Sequence, residues 1–251
     1  IIDNIDDVPF PSLHLIKNDL YYNILTKRRN FTAMLSARGC PYRCTFCNQY
    51  QTPWRERSPD NLVAEIKYNY ENFGIQEIDF YDTTFTANKK RAIAICEAIV
   101  RENLDISWTI RTRVDSVNEK VLDALKSAGC HTVMYGIESS NREILKMMKK
   151  KISIERVEKT LKYTKDVGMD NLGFFMFGYP GETKETIKDT IRFSLDLPLD
   201  YAQYTVMVPY PDAEIYNYYR ENGLDEDYWR EVTLDASKER RLELLGTEVT
   251  R

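Results

Sequence analysis

The sequence predicts an α/β fold: an open, partial (β/α)6 barrel of TIM-like type with parallel strands, an N-terminal linker and a C-terminal helical segment. Three observations carry this prediction. Short apolar runs alternate six times with longer amphipathic stretches, and strict alternation implies parallel strands joined by right-handed crossovers. Six units fall short of the eight that close a full barrel. A chain of 251 residues with 43% hydrophobic content suits one substantial core. On this reading residues 1–30 are a linker or extension, 31–211 the core barrel and 212–251 a C-terminal extension.

Phe31–Ala37 reads as the first strand, running at its C-terminal end into a cysteine-rich loop. Ser58 and Pro59 then open a helix as N-cap and first helical residue, with Leu62, Val63, Ile66 and Tyr70 recurring on one face. Glu77–Tyr81 is the second strand, Lys89–Arg101 a helix and Ile106–Arg111 the third strand. Ser116 and Glu119 have the spacing of a capping box, which predicts a helix carrying Val121, Leu122 and Leu125 and stopping at Gly129. His131–Ile137 is the fourth strand, followed by helical pieces over Asn141–Met148 and Ile154–Val167. Leu172–Gly178 is nearly all apolar, as strands buried on both faces are. Thr183–Leu195 is the last helix of the alternation and Tyr201–Val208 the sixth strand. At the ends, Val8-Pro9-Phe10-Pro11 reads as extended chain because residues before proline are pushed out of helical geometry. Ser237–Leu245 is a short helix candidate.

The formal charge of −4 argues against a nucleic-acid surface, which needs a basic footprint. The Lys149-Lys150-Lys151 run reads as a solvated helix end. No stretch of 18 apolar residues exists to span a membrane, and the N-terminus lacks a signal-peptide core. Five cysteines, an odd number with three bunched together, fit a reducing compartment and a metal site better than a disulfide framework; a cytoplasmic location is expected. The chain opens on Ile1, and the expectation is that it is a piece of a longer polypeptide.

The bunched cysteines are Cys40, Cys44 and Cys47, spaced Cys-x3-Cys-x2-Cys. Thiolates are the usual ligands of iron–sulfur clusters, and three of them leave one iron of a [4Fe–4S] cubane open to a small molecule. A structural zinc ion would need a fourth ligand, and the only histidines are His14 and His131. A purely electron-carrying cluster would have all four irons ligated by protein. Cys96 and Cys130 fit small core residues better than a fourth ligand.

This spacing, with Phe46 just before the last cysteine, resembles the signature of the radical S-adenosylmethionine (radical SAM) enzymes over roughly residues 31–211. The resemblance implies a partial (β/α)6 barrel in which Cys40, Cys44 and Cys47 ligate a [4Fe–4S] cluster. SAM chelates the open iron there, and reductive cleavage yields a 5′-deoxyadenosyl radical. It implies that Phe46 positions the adenine through its backbone. Tyr81–Thr86, with Thr83, resembles the segment that meets the SAM amino group, and Arg113 holds the place of a polar SAM contact. Gly136-Ile137-Glu138-Ser139 resembles the ribose-contacting element, where the Glu138 carboxylate suits a pair of hydroxyls. Lys150 matches a basic residue that pairs with the SAM carboxylate. Gly178–Thr183 resembles the family's Gly-x-Pro-Gly-Glu-Thr turn. Pro209-Tyr210-Pro211 resembles a Pro-x-Pro-Gly-Thr element in which Asp212-Ala213 here replaces Gly-Thr.

The wording around these motifs is most similar to the cobalamin-associated branch, which contains methylases and anaerobic tetrapyrrole cyclases. Asp6–Pro11 looks like the linker that follows a cobalamin-binding domain, and the chain itself carries no Asp-x-His-x-x-Gly cobalamin motif. The branch implies a small-molecule substrate and a flavodoxin- or ferredoxin-type reductant. Two alternatives stand beside it: a tRNA methylthiotransferase-like modifier, which the acidic composition disfavours, and a non-catalytic iron–sulfur scaffold.

Overall fold

The computed structural model describes residues 1–222 together with Thr233. Strand β1 (Phe31–Met34) ends earlier than the predicted Ala37. Ala37–Arg38 instead leaves the main sheet as β2 and pairs antiparallel with β3 (Arg55–Glu56), so that a small ribbon brackets the cysteine loop. Helix α1 (Pro59–Phe73) starts as expected: the Ser58 side chain accepts from Asn61 N–H, and Gly74 closes it in the left-handed conformation. There follow β4 (Glu77–Phe80), α2 (Lys89–Arg101), β5 (Ser107–Thr112), α3 (Glu119–Ser127) and β6 (Cys130–Glu138). The chain continues through α4 (Arg142–Met147), α5 (Ile154–Asp166), β7 (Asp170–Phe177), α6 (Lys184–Asp196), β8 (Tyr201–Val206) and α7 (Glu214–Glu221). The six long strands form one sheet in the order β1-β4-β5-β6-β7-β8, with every neighbouring pair parallel. Among the described residues β1 and β8 do not pair, so the barrel is open.

Side chains alternate across each strand. Ile78, Phe80, Trp108, Ile110, Tyr135 and Ile137 face the helices and join Ile66, Ile95, Leu125 and Leu161 in the main core. Phe80 and Trp108 meet edge to face, with ring centroids 5.4 Å apart. The concave face carries polar groups instead. Asp79 accepts two hydrogen bonds from Arg111, at 2.6 and 3.1 Å, one from Thr109 at 2.9 Å and one from Asn23 at 3.2 Å. Arg111 also lies over the Tyr81 ring at 3.8 Å.

Asn23 belongs to residues 1–30, the stretch expected as a linker or extension, and the end of that stretch packs against the barrel. Leu25 packs into the barrel against Met134, Leu172 and Phe174, Lys27 pairs with Asp170 at 2.7 Å, and Asn30 O accepts from Gln76 N–H. The end of the segment therefore plugs the bore. The structure corrects the start of α3: its N-cap is Asn118, whose side chain accepts from Val121 N–H. The Ser116 hydroxyl turns inward to Thr86 and Thr112, at 2.8 and 2.9 Å. The Ser237–Leu245 helix candidate lies outside the described residues. No helix among those described is long and apolar enough to cross a membrane.

Candidate active site

The cysteine loop sits where β1 ends, on the side of the sheet at which parallel α/β folds gather their sites. It begins with Gly39 at φ 78°, and a Cβ there would lie 2.7 Å from the Pro53 carbonyl oxygen, so the close approach requires glycine. Five other parts of the chain fix the loop's shape. After β4, Asp82 accepts from the backbone N–H of Ser36 at 2.7 Å and of Ala37 at 3.3 Å, and from the Ser36 hydroxyl; burial pushes its carboxyl above the usual range. The Thr83 hydroxyl donates to Gly39 O at 2.6 Å. After β5, Arg113 reaches Cys44. After α4, Met148 O accepts from Thr45 N–H at 3.1 Å. After β7, Tyr179 OH shares a 2.7 Å hydrogen bond with the Thr45 hydroxyl and donates to Met147 O. Finally, Ile215 N–H at the start of α7 donates to Thr45 O at 2.8 Å.

Beneath the loop lies a small second core of Ile144, Met148, Tyr179, Met207, Ala213, Ile215 and Tyr219, against which Phe46 packs. The backbone N–H and C=O of Phe46 have no hydrogen-bond partner among the described residues, which leaves them available to a ligand. The turn that carries Tyr179 is set by Glu182, which accepts from Gly178 N–H at 2.6 Å and Tyr179 N–H at 3.1 Å. Its other oxygen is buried without a partner, and burial pushes this carboxyl up.

Three charged side chains converge beside the thiols. Lys150 is not part of a solvated helix end: Lys149 and Lys151 adopt positive φ, which turns the side chain between them inward, and Lys150 is 5% exposed. Its Nζ lies 2.6 Å from Glu138 Oε1, 7% exposed, and 5.8 Å from the Phe46 ring centroid. Glu138 stands at φ 71° beside a break in register between β6 and β7. Glycine at position 136 leaves space beside the pair; a Cβ there would lie 2.6 Å from Lys150 Nζ and 2.7 Å from Glu138 Oε1. The structure thus brings Phe46, Arg113, Glu138 and Lys150 together near the cysteines, while the Thr83 side chain is committed to the loop backbone.

All five cysteines are free. Burial raises the Cys44 thiol, opposed by Lys150 and Arg113. Burial likewise raises Cys47, with Cys44 and Cys40 adding to the rise. Among the described residues no three His, Cys, Asp or Glu side chains converge on a single-ion site. His131 is engaged with Glu77 and Thr132, at 2.7 and 2.8 Å, at the opposite ends of the strands. Among the described residues a zinc site therefore lacks both its focus and its fourth ligand. A cubane takes each thiolate on a different iron, and three sulfur donors on one pre-shaped loop fit it.

Residues 34–194 match the Radical SAM superfamily. The chain belongs to that superfamily. Radical SAM proteins use a [4Fe–4S] cluster and SAM. It is 41% identical to an uncharacterized methyltransferase of Pyrococcus horikoshii over 227 residues, which are 89% of this chain and 49% of that protein. It is 30% identical to an anaerobic magnesium-protoporphyrin IX monomethyl ester cyclase of Rubrivivax gelatinosus, covering 72% of this chain and 33% of the cyclase. The chain thus spans half or less of these relatives' length. Its fold is similar to that of TsrM from Kitasatospora setae, a radical S-adenosylmethionine methyltransferase solved with cobalamin and a [4Fe–4S] cluster bound. That similarity has a TM-score of 0.68 at 22% identity, over 74% of this chain and 36% of TsrM.

Sequence reasoning missed several residues that shape this site. Asp82 and Tyr179 lie inside the Tyr81–Thr86 and Gly178–Thr183 motifs, so proximity to a motif was their one signal. Thr45 and Tyr42 lie between the cysteines, but only folding brings Tyr179 to the first and Arg113 to the second.

Proposed function

We propose that this chain is the catalytic core of a radical SAM methyltransferase or cyclase. Cys40, Cys44 and Cys47 would hold a [4Fe–4S] cluster, and Phe46, Glu138 and Lys150 would hold SAM. The bound cluster would supply the electron that cleaves SAM reductively to methionine and a 5′-deoxyadenosyl radical. The observation that carries the proposal is the gathering of three free thiols, a cation and a carboxylate at one end of an open barrel. Lys150 supplies a positive charge for the methionine carboxylate, Glu138 an acceptor for the ribose hydroxyls, and the free Phe46 backbone groups an edge for the adenine. The second core under Phe46 keeps water from that side. Thr83, with its hydroxyl on Gly39 O, would act by fixing the loop that bears Cys40.

Similarity to a methyltransferase and a cyclase supports the reaction class, and the cobalamin in TsrM supports a corrinoid carried by a domain outside this chain. The substrate would be a small molecule, the electron donor a flavodoxin or ferredoxin, and the compartment the cytoplasm. The test is anaerobic reconstitution with iron and sulfide, followed by SAM and dithionite. Wild-type protein is expected to release 5′-deoxyadenosine. Cys44→Ala is expected to release none while keeping its circular dichroism. A wild-type cluster that leaves SAM intact would instead mark the chain as an iron–sulfur scaffold.

A further inference from the structure

Arg113 stands where a polar SAM contact is expected, yet its guanidinium is almost wholly engaged by the protein. Nε and Nη2 clamp the two oxygens of Asp115 at 2.8 and 2.9 Å, and Nη2 also donates to Lys150 O. Nη1 donates to Cys44 Sγ at 3.5 Å. One face lies over the Tyr42 ring, with 4.1 Å between its central carbon and the ring centroid. Of the five N–H groups an arginine offers, Nε–H, both on Nη2 and one on Nη1 are therefore used. Arg113 is 5% exposed and Cys44 8%.

We infer that Arg113 is a positioning residue that tunes the cluster's reduction potential through a charged hydrogen bond to the Cys44 sulfur, rather than a SAM contact. The inference rests on the reading that Cys44 is a cluster ligand. Hydrogen bonds to the sulfurs, net charge and solvent exposure set iron–sulfur potentials. With three thiolates, the 2+ core carries one net negative charge. One electron from a low-potential flavodoxin, or from dithionite in the test, makes it two. An arginine cation, ionised at every working pH and shielded from water, stabilises the second state more than the first, so Arg113 raises the potential. Tyr42 and Asp115 hold the guanidinium in place, so this contact persists through the cycle.

The experiment is potentiometry of the reconstituted cluster followed by electron paramagnetic resonance, in wild-type protein, Arg113→Gln and Arg113→Lys. Arg113→Gln is expected to lower the equilibrium constant for reduction about tenfold, which is about 59 mV for one electron. Arg113→Lys, which keeps the charge but loses the fork, is expected to lie between. A second measurement needs no variant. In wild-type protein grown on arginine labelled with 15N in the guanidinium, the reduced cluster is expected to show a 15N hyperfine coupling. Among the described residues Arg113 is the only arginine bonded to a cysteine of the loop. A normal iron content with an unmoved potential in Arg113→Gln, or an absent coupling, overturns the inference alone. A wild-type protein that binds no cluster overturns the proposed function first.

Discussion

Glu138 concentrates the local tension of the site. A non-glycine residue held at φ 71° carries roughly 1–3 kcal/mol of backbone strain, and it persists here because the Lys150 ammonium fixes its carboxylate. Gly136 leaves the space in which the two meet. Gly136→Ala would place a methyl group 2.6 Å from Lys150 Nζ, and the tips of the two side chains would have to shift. The expected loss of stability is about 1–3 kcal/mol, typical of an overpacked interior, with SAM binding weakened as well. Equal melting temperatures and equal SAM dissociation constants in the two proteins would show that the pair has no part in the site. Sequence alone matched Lys150 to a motif position but gave its run a solvated environment. The reason is geometric: three successive lysines look alike until the backbone on either side of the middle one turns left-handed.

At the scale of elements, α3 offers a clean comparison. The spacing in the sequence assigns the cap to Ser116, and the structure gives it to Asn118. Asn118→Ala is expected to cost about 1 kcal/mol, the usual value of a lost N-cap. Ser116→Ala should instead disturb the hydroxyl cluster with Thr86 and Thr112 behind the Arg113 turn. Urea unfolding of each single variant, with cluster loading measured alongside, separates the effects; equal losses of loading would contradict the assignment. The capping-box pattern misled because Ser116 has partners 30 and four residues away, and only folding brings the first of them near. Elsewhere local chemistry decided the outcome. Helix α2 spans the expected Lys89–Arg101, and the six strands of the sheet start within a residue or two of expectation, because period and caps are properties of neighbouring residues. The N-terminal plug was invisible for the opposite reason. Asn23, Leu25 and Lys27 show no periodicity, and each finds its partner at least 50 residues away.

For the molecule as a whole, that plug ties acid stability to the open barrel. Burial pulls the Asp170 carboxyl upward, but Lys27 and Lys165 leave it below its ordinary value of 3.8. A carboxyl depressed in the folded state contributes stability above its unfolded pKa and loses it as pH falls through the folded value. Wild-type protein should therefore lose stability below about pH 4 more steeply than Asp170→Asn; parallel curves from urea unfolding across that range would contradict the pairing. The manner in which the cysteine loop is tied down has a different consequence. Its bonds come from five separate segments, and none of them passes through iron. Small zinc domains collapse when a chelator strips them, because metal binding is their folding energy. This chain should stay intact when emptied, so that delivery of iron and sulfide resembles filling a socket and a damaged centre can be replaced without refolding the protein.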